Sequence, residues 1–283
     1  MNPTGNAVNA GLRRGWIEFR QTLTNGQDLW NYLFLPIVTV VVLFLMDDAK
    51  VPGTDFSLGA NTLPGILGMS VVFSGMMGAA ASLTVDREDG TLLRAKATPN
   101  GMIGYLVGRT TNLAIATIAG LLIILIPGVL MYDSLEPGGP AKWLALFGIV
   151  VLALLATLPV GAVIGSLGAN PANIGLLMLP IMAMVGISGI FYPITALPGW
   201  LEFVGQLFPM YWAGLGMRWA LLPDAMVAAE LGGSWRHLEM VAVLGVWSII
   251  GFALAPIILR RMARRESGSN LAARRQRAMQ RVS

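Results

Sequence analysis

Apolar residues in this chain run in long blocks rather than in the alternation of a soluble sheet or the stripe of a surface helix. Six stretches contain no Asp, Glu, Lys or Arg: Leu29–Met46, Leu58–Val85, Thr110–Met131, Trp143–Leu167, Ile174–Ile194 and Met240–Leu259. A helix needs about 20 mostly apolar residues to cross a bilayer, so each block predicts a transmembrane span. Each holds a proline, among Pro36, Pro64, Pro127, Pro159, Pro180, Pro193 and Pro256. Bundles tolerate these because neighbouring helices re-satisfy the freed carbonyls. The predicted fold class is an all-α polytopic membrane protein with six transmembrane helices over residues 29–259.

Two further segments carry helical patterns of a different kind. In residues 1–28, Leu12, Trp16, Phe19 and Leu23 fall on one face while Arg13, Arg14, Gln21 and Gln27 lie off it. A basic amphipathic helix with Trp on its apolar side is predicted to lie in the membrane interface, as an anchor or as a lever tied to the first span. Trp200–Leu222 is apolar but contains Glu202, Pro209 and Arg218. It is predicted to form two half-helices, broken near Pro209, that re-enter from the outer face over residues 195–222. Its aromatics and those just before it, Phe191, Tyr192, Trp200, Phe203, Phe208, Tyr211, Trp212 and Trp219, equally fit an interfacial belt.

Composition supports the membrane assignment. Of 283 residues 55% are apolar and 12% charged, with a mean hydropathy of +0.68; an ordinary soluble domain has about 25% charged residues. The charge distribution sets the orientation. One side holds Arg13, Arg14, Arg20, Arg87, Arg94, Lys96, Arg109 and the tail residues Arg260, Arg261, Arg264, Arg265, Arg274, Arg275, Arg277 and Arg281, which makes 15 of the 19 Lys and Arg. Both termini are therefore predicted to be cytoplasmic. A seventh crossing at Trp200–Leu222 would carry the tail arginines outside. The tail, residues 260–283, has no aromatic to stack a base, so it is read as attracted to anionic lipid rather than to nucleic acid. Arginine outnumbers lysine 16 to 3, a bias that points to a bacterial source and hence to a bacterial plasma membrane.

Several chemistries are excluded by residue type. Without cysteine there is no thiol nucleophile and no Cys-ligated metal. The six spans contain no carboxylate, His or Lys for an ion relay or a haem or retinal site, and His237, the single histidine, sits in a loop. The chain's three lysines, Lys50, Lys96 and Lys142, each follow alanine, so none completes a Gly-Lys-Ser/Thr phosphate loop. No cofactor is expected on this chain, and any nucleotide motor belongs to another subunit.

The cytoplasmic loop 86–109 opens with Asp86-Arg87-Glu88-Asp89-Gly90-Thr91-Leu92-Leu93-Arg94 and reaches Thr98-Pro99. Gly90 is placed to end the second span, Thr91 to cap a short helix, and Thr98-Pro99 to stop it. Such a stiff two-signed turn suits docking of a partner; it also fits a solvated loop whose bases fix topology. Another class remains open on the residues alone, a membrane-embedded enzyme acting on lipid at the inner leaflet near Asp86–Asp89, as does a membrane scaffold.

The loop resembles the Glu-x-Gly-Thr-Leu-x-x-Leu-x-x-Thr-Pro signature of the type 2 ABC exporter permeases, through Glu88, Gly90, Thr91, Leu92, Thr98 and Pro99, with Ala95 where those permeases usually have leucine. Ser188-Gly-Ile-Phe-Tyr-Pro-Ile-Thr-Ala-Leu-Pro-Gly-Trp200, followed by Phe208-Pro-Met-Tyr-Trp212 and Arg218, is similar to the family's second signature. The drug-exporter branch of daunorubicin-permease type is the nearest in pattern. The resemblance implies a dimer of two six-span subunits, alike or related, with two ATPase subunits that hold ATP and Mg. These would dock at Asp86–Pro99 and the N-terminal helix. It further implies an outer gate from Phe191, Tyr192, Pro193, Pro198, Trp200, Pro209, Tyr211 and Arg218. Hydrophobic or amphipathic cargo, drug or lipid, would leave along the dimer interface; Phe34, Phe44, Met69, Phe73, Met76 and Met77 suit such a pathway and equally suit contact with lipid. Gly75, Gly78, Ala79, Gly161 and Gly165 would let helices approach closely.

Overall fold

Residues 3–50, 57–135, 138–167 and 174–265 are described by the computed structural model. Among them the chain forms eleven α-helices: α1 Pro3–Thr24, α2 Gly26–Leu45, α3 Leu58–Phe73, α4 Ala79–Glu88, α5 Thr91–Lys96, α6 Gly101–Met131, α7 Pro140–Leu167, α8 Ile174–Gly186, α9 Gly199–Gln206, α10 Pro209–Leu221 and α11 His237–Arg265. A π-helical turn, Ser74–Gly78, joins α3 to α4 into one rod. The tail beyond Arg265, including the predicted surface-helix positions Leu271, Ala278 and Val282, lies outside the described residues.

Five of these elements are long and apolar enough to cross a membrane: Gly26–Leu45, Leu58–Glu88, Gly101–Met131, Pro140–Ser166 and His237–Leu259. They run past the charge-free blocks that announced them, because helical hydrogen bonding continues into charged residues once the backbone is wound. The fifth predicted span differs. Its helix α8 stops at Gly186 instead of continuing to Ile194; Gly189 takes a left-handed φ of 64° and Pro193 opens a 3₁₀ turn. The described part of α8, Ile174–Gly186, is about 20 Å long.

Contacts give the directions of the rods. Asp86 at the end of α4 meets Tyr105 and Arg109 near the start of α6, while Gly59 at the start of α3 packs on Tyr132 just past its end. The α3–α4 rod and α6 are thus antiparallel. Gly75 faces Thr157 and Gly165 faces Ala80, so α7 runs parallel to that rod. Gly216 touches both Ile149 of α7 and Met240 of α11, and Gly251 packs on Pro159, so α7 and α11 also run the same way. The far end of α7 lies beside Ala80 and Arg87, and the chain after α8 reappears at Ile190 against Gly65.

The main core gathers the inner faces of α3, α6, α7 and α10, with Leu63, Val71, Ala153, Tyr211 and Leu215 at or near zero exposure. Small residues set its spacing. A Cβ on Gly161 would stand 2.3 Å from the Met76 carbonyl oxygen, and one on Gly165 2.6 Å from that of Ala80. Gly75, Gly161 and Gly165 therefore join helices within one subunit, where van der Waals contact between backbones takes the place of a hydrophobic drive.

Candidate functional site

Two clusters of polar side chains interrupt this apolar bundle, one at each end. At the end where α4 meets α5, Gly90 leaves the helical region with a φ of 80° and turns the chain from one helix into the other. The Asp89 carboxylate caps the new helix, accepting from the Thr91 N–H at 2.8 Å. The N-cap position is thus Gly90 rather than Thr91, whose hydroxyl instead accepts from Arg94 Nη2 at 2.9 Å. The helix ends at Lys96, ahead of Thr98-Pro99, and Asn100, left-handed with a φ of 54°, reverses the chain into α6. Arg87 reaches back to the end of α7, donating to the Gly165 and Ser166 carbonyls at 3.5 and 3.2 Å.

The acidic run Asp86, Glu88 and Asp89 does not act as one surface. Glu88 and Asp89 are exposed, whereas Asp86 is 0% exposed and turned inward. Its Oδ2 accepts from Tyr105 Oη at 2.7 Å and from Arg109 Nε at 2.6 Å, and its Oδ1 accepts from Arg109 Nη2. Arg109 Nη1 donates at 3.0 Å to Glu18 Oε2 on α1, and Arg14 Nε donates to the other Glu18 oxygen at 2.7 Å. Five side chains from α1, α4 and α6 so form one clamp. A two-signed sequence segment reads as solvated, which is why Asp86 was predicted to be a docking residue. Glu18, Tyr105 and Arg109 carried one signal, a lone arginine within an otherwise uncharged helix.

The N-terminal helix joins the site by an unforeseen face. Leu12, Trp16 and Leu23 are exposed; of the predicted apolar stripe Phe19 alone is buried. What docks is the glycine face: a Cβ on Gly11 would lie 2.6 Å from the Gly104 carbonyl oxygen, and one on Gly15 2.5 Å from that of Gly108. A Gly-x-x-x-Gly of α1 thus crosses a Gly-x-x-x-Gly of α6, the pairing by which membrane helices come into backbone contact. Between α1 and α5 a groove of about 430 Å³ opens, lined by Arg14, Thr91, Arg94, Thr98, Pro99 and Asn100 among others. Leu92 anchors α5 beneath it, packed with Leu83, Tyr105, Ala255 and Leu259.

At the opposite end of the bundle, α9 and α10 form a helix pair broken at Leu207–Phe208, with Pro209 in the first turn of α10. Nearly all of α10 is buried. Arg218, 8% exposed, clasps the Glu230 carboxylate with Nε and Nη2 and donates to the Gly189 carbonyl at 3.4 Å. Arg236 lies 4.9 Å over the Trp212 ring and bonds Gln206, while Trp212 Nε1 donates to the Gln206 carbonyl at 2.6 Å. His237 starts α11, its ring edge-on to Trp219. The aromatics divide: Tyr211 and Trp212 are core residues, and Phe191, Tyr192, Trp200 and Phe203 face outward like a belt. Pro193 and Pro198 begin the turns on either side of Ile194–Ala196.

Of the six pathway candidates Met69, Phe73, Met76 and Met77 share the main core cluster, while the two on α2 stand apart from it. Phe34 and Phe44 lie exposed on α2, Met69 and Phe73 are half-buried, and Met76 and Met77 are buried in the π turn. An apolar cavity of about 150 Å³ lies elsewhere, between α4, α6, α7 and α11, with Tyr105 and Arg109 in its wall.

Membrane-length helices, a short helix projecting between the second and third spans, and an amphipathic helix beside it define a multi-span membrane transport subunit. Residues 53–259 match the model of the family described as ABC-2 family transporter protein, and the chain belongs to that family. It is accordingly the transmembrane subunit of an ABC transporter, a transport component whose partner is an ABC ATPase subunit. No curated protein matches the sequence.

Proposed function

We propose that this chain is the permease of an ATP-driven exporter that moves hydrophobic or amphipathic compounds, drug-like or lipid, out across a bacterial plasma membrane. ATP and Mg are held by the separate ATPase subunit, two copies serving a permease dimer of like or related chains. The observation that carries this reading is the groove between α1 and α5. The two elements that a docking motor is expected to touch, distant in sequence, form facing walls of one cleft that carries Arg14, Arg94 and Thr98.

The same reading makes the chain six-spanning with both termini cytoplasmic. Parallel α7 and α11 need a return crossing between them. The chain leaves α7 near Ala80 and Arg87 and is next found at Ile190 beside Gly65, about 15 residues or 22 Å further along the α3–α4 rod. The α9–α10 pair then closes the outer side, re-entering against α3 where Gly68 packs on Gly214.

Purification of the tagged chain from its native membrane in mild detergent is the test. A stoichiometric subunit with a phosphate-binding loop is expected, and substitution of Arg94 and Thr98 by bulky acidic residues should release it. Recovery of the chain alone under several detergents overturns the reading.

A further inference from the structure

The clamp at the inner end bears on which span the motor moves, a question the docking groove alone leaves open. An amphipathic helix ahead of a first span is naturally a lever on that span, since the chain continues directly into it. The geometry points elsewhere. Between α1 and α2 the helix is broken at Asn25, whose φ and ψ of −92° and 117° leave the helical region, and a Cβ on the adjoining Gly26 would meet nothing within 4 Å. Across the α1–α6 contact, by contrast, Gly11 and Gly15 rest on the Gly104 and Gly108 backbone with no slack, and Glu18 is bonded to Arg109. The glycine contacts advance in step, Gly11 at Gly104 and Gly15 at Gly108, so α1 runs alongside α6 in the same direction.

Arg109 does more than hold α1. Through Nε and Nη2 it holds Asp86, four residues before the Gly90 turn that launches α5. Tyr105 braces the same carboxylate from one turn away on α6. Leu92 of α5 packs onto Leu83 of α4 and Tyr105 of α6. One guanidinium therefore bridges α1, the inner end of the α3–α4 rod and the inner end of α6.

We infer that Arg109 is a positioning residue that makes α1, α5 and the inner ends of α4 and α6 one rigid block, so that motor displacement passes directly into the second and third spans and reaches the first only through the Asn25 junction and the α2 contacts of Tyr32 with Phe19 and the Ala116 carbonyl. The inference rests on the docking reading above. Its physical basis is that the glycine contacts and the Arg109 ion pair with Glu18 join α1 to α6 with backbone in contact, whereas α1 meets α2 through one capped non-helical residue, an unpacked glycine and the edge-on rings of Phe19 and Tyr32.

The test exploits the absence of cysteine in the natural chain. Spin labels on Arg13→Cys with Ile103→Cys measure α1 against α6, and on Arg13→Cys with Leu35→Cys measure α1 against α2; all three side chains are exposed. Pulsed electron paramagnetic resonance is run on the complex with its ATPase subunit, without nucleotide and with ATP plus vanadate. The first pair is expected to keep one narrow distance in both states and the second to shift. Arg109→Gln should broaden the first distribution. Glu18→Gln, which leaves Asp86 paired, should broaden it as well, and Glu18→Asp should restore it. A nucleotide-dependent shift in the first pair, a fixed second pair, or unchanged widths in both glutamine variants each overturns the inference. Failure of the docking reading shows separately, as absence of an ATPase subunit, and the widths measured on the chain alone then still decide whether Arg109 keys α1 to α6.

Discussion

Gly11 and Gly104 meet at backbone distance: the nearest atom to a side chain built on Gly11 is the Gly104 carbonyl oxygen, 2.6 Å away. The docking of α1 on α6 therefore tolerates nothing larger than hydrogen at this crossing. Gly11→Leu and Gly15→Leu should each destabilise the packing by about 1–3 kcal/mol, as overpacked sites do. Limited trypsin digestion reads the consequence, because Arg13, Arg14 and Arg20 lie on α1 and become cleavable when it lifts. Gly26→Ala, with open space around it, should leave digestion unchanged; equal sensitivity at all three positions would contradict the glycine-face docking.

Asp86 and Glu88 are two residues apart and have opposite environments. Removing one partner of a buried ion pair costs about 3–5 kcal/mol, since the other charge is left desolvated. Asp86→Ala leaves the Tyr105 hydroxyl without its acceptor and Arg109, one-quarter exposed, with Glu18 alone, so a loss at the lower end, about 3 kcal/mol, is expected. An exposed carboxylate contributes about 0–1 kcal/mol, so Glu88→Ala should unfold like the natural chain. Thermal unfolding of the detergent-solubilised protein separates them, and comparable losses at both positions would refute the buried assignment.

How much of this was readable beforehand follows from where each signal resides. The Gly90 break and the short helix after it depend on local backbone preferences, so a left-handed glycine and a Thr-Pro stop announce themselves in a few residues. The same holds for the apolar blocks that became α2, α6, α7 and α11. What α1 packs against is a different kind of fact. Its conspicuous feature is Leu12–Trp16–Leu23, and that face is exposed; glycine has almost no hydropathy, so the face that docks was silent. Asp86 was misjudged for a related reason. Its partners Tyr105 and Arg109 lie 19 and 23 residues away, and a charge among charges looks solvated until the fold brings a cation to it. The π turn at Ser74–Gly78 left no trace in a run that reads as uninterrupted helix.

The left-handed Gly90 has its own consequence. A φ of 80° costs a residue with a Cβ about 1–2 kcal/mol. Gly90→Val should shift α5 relative to α4, lowering substrate-stimulated ATP hydrolysis of the assembled complex while the permease stays inserted. Gly90→Asn should be milder, because asparagine enters this region more readily than other residues. Stimulation by the two variants, compared at equal complex recovery, checks the order; a valine variant as active as the asparagine one would show that the turn's conformation is immaterial to coupling.

At the α9–α10 end of the bundle, Arg218 and Glu230 are each about nine-tenths buried and joined in a two-pronged pair. Such a pair is expensive to break and cheap to replace: removing one charge leaves the other desolvated, whereas exchanging both for apolar residues of like volume is often neutral or stabilising. Arg218→Met or Glu230→Leu alone should therefore lower stability by about 3–5 kcal/mol, and the double replacement should recover most of that loss. The Gly189 carbonyl sets the limit of recovery, since it loses its 3.4 Å donor in the double variant too. Thermal unfolding of the four proteins completes the cycle. Additive losses would mean that the pair is not coupled in the folded state, and that α10 is held to the segment before α11 by its apolar contacts alone.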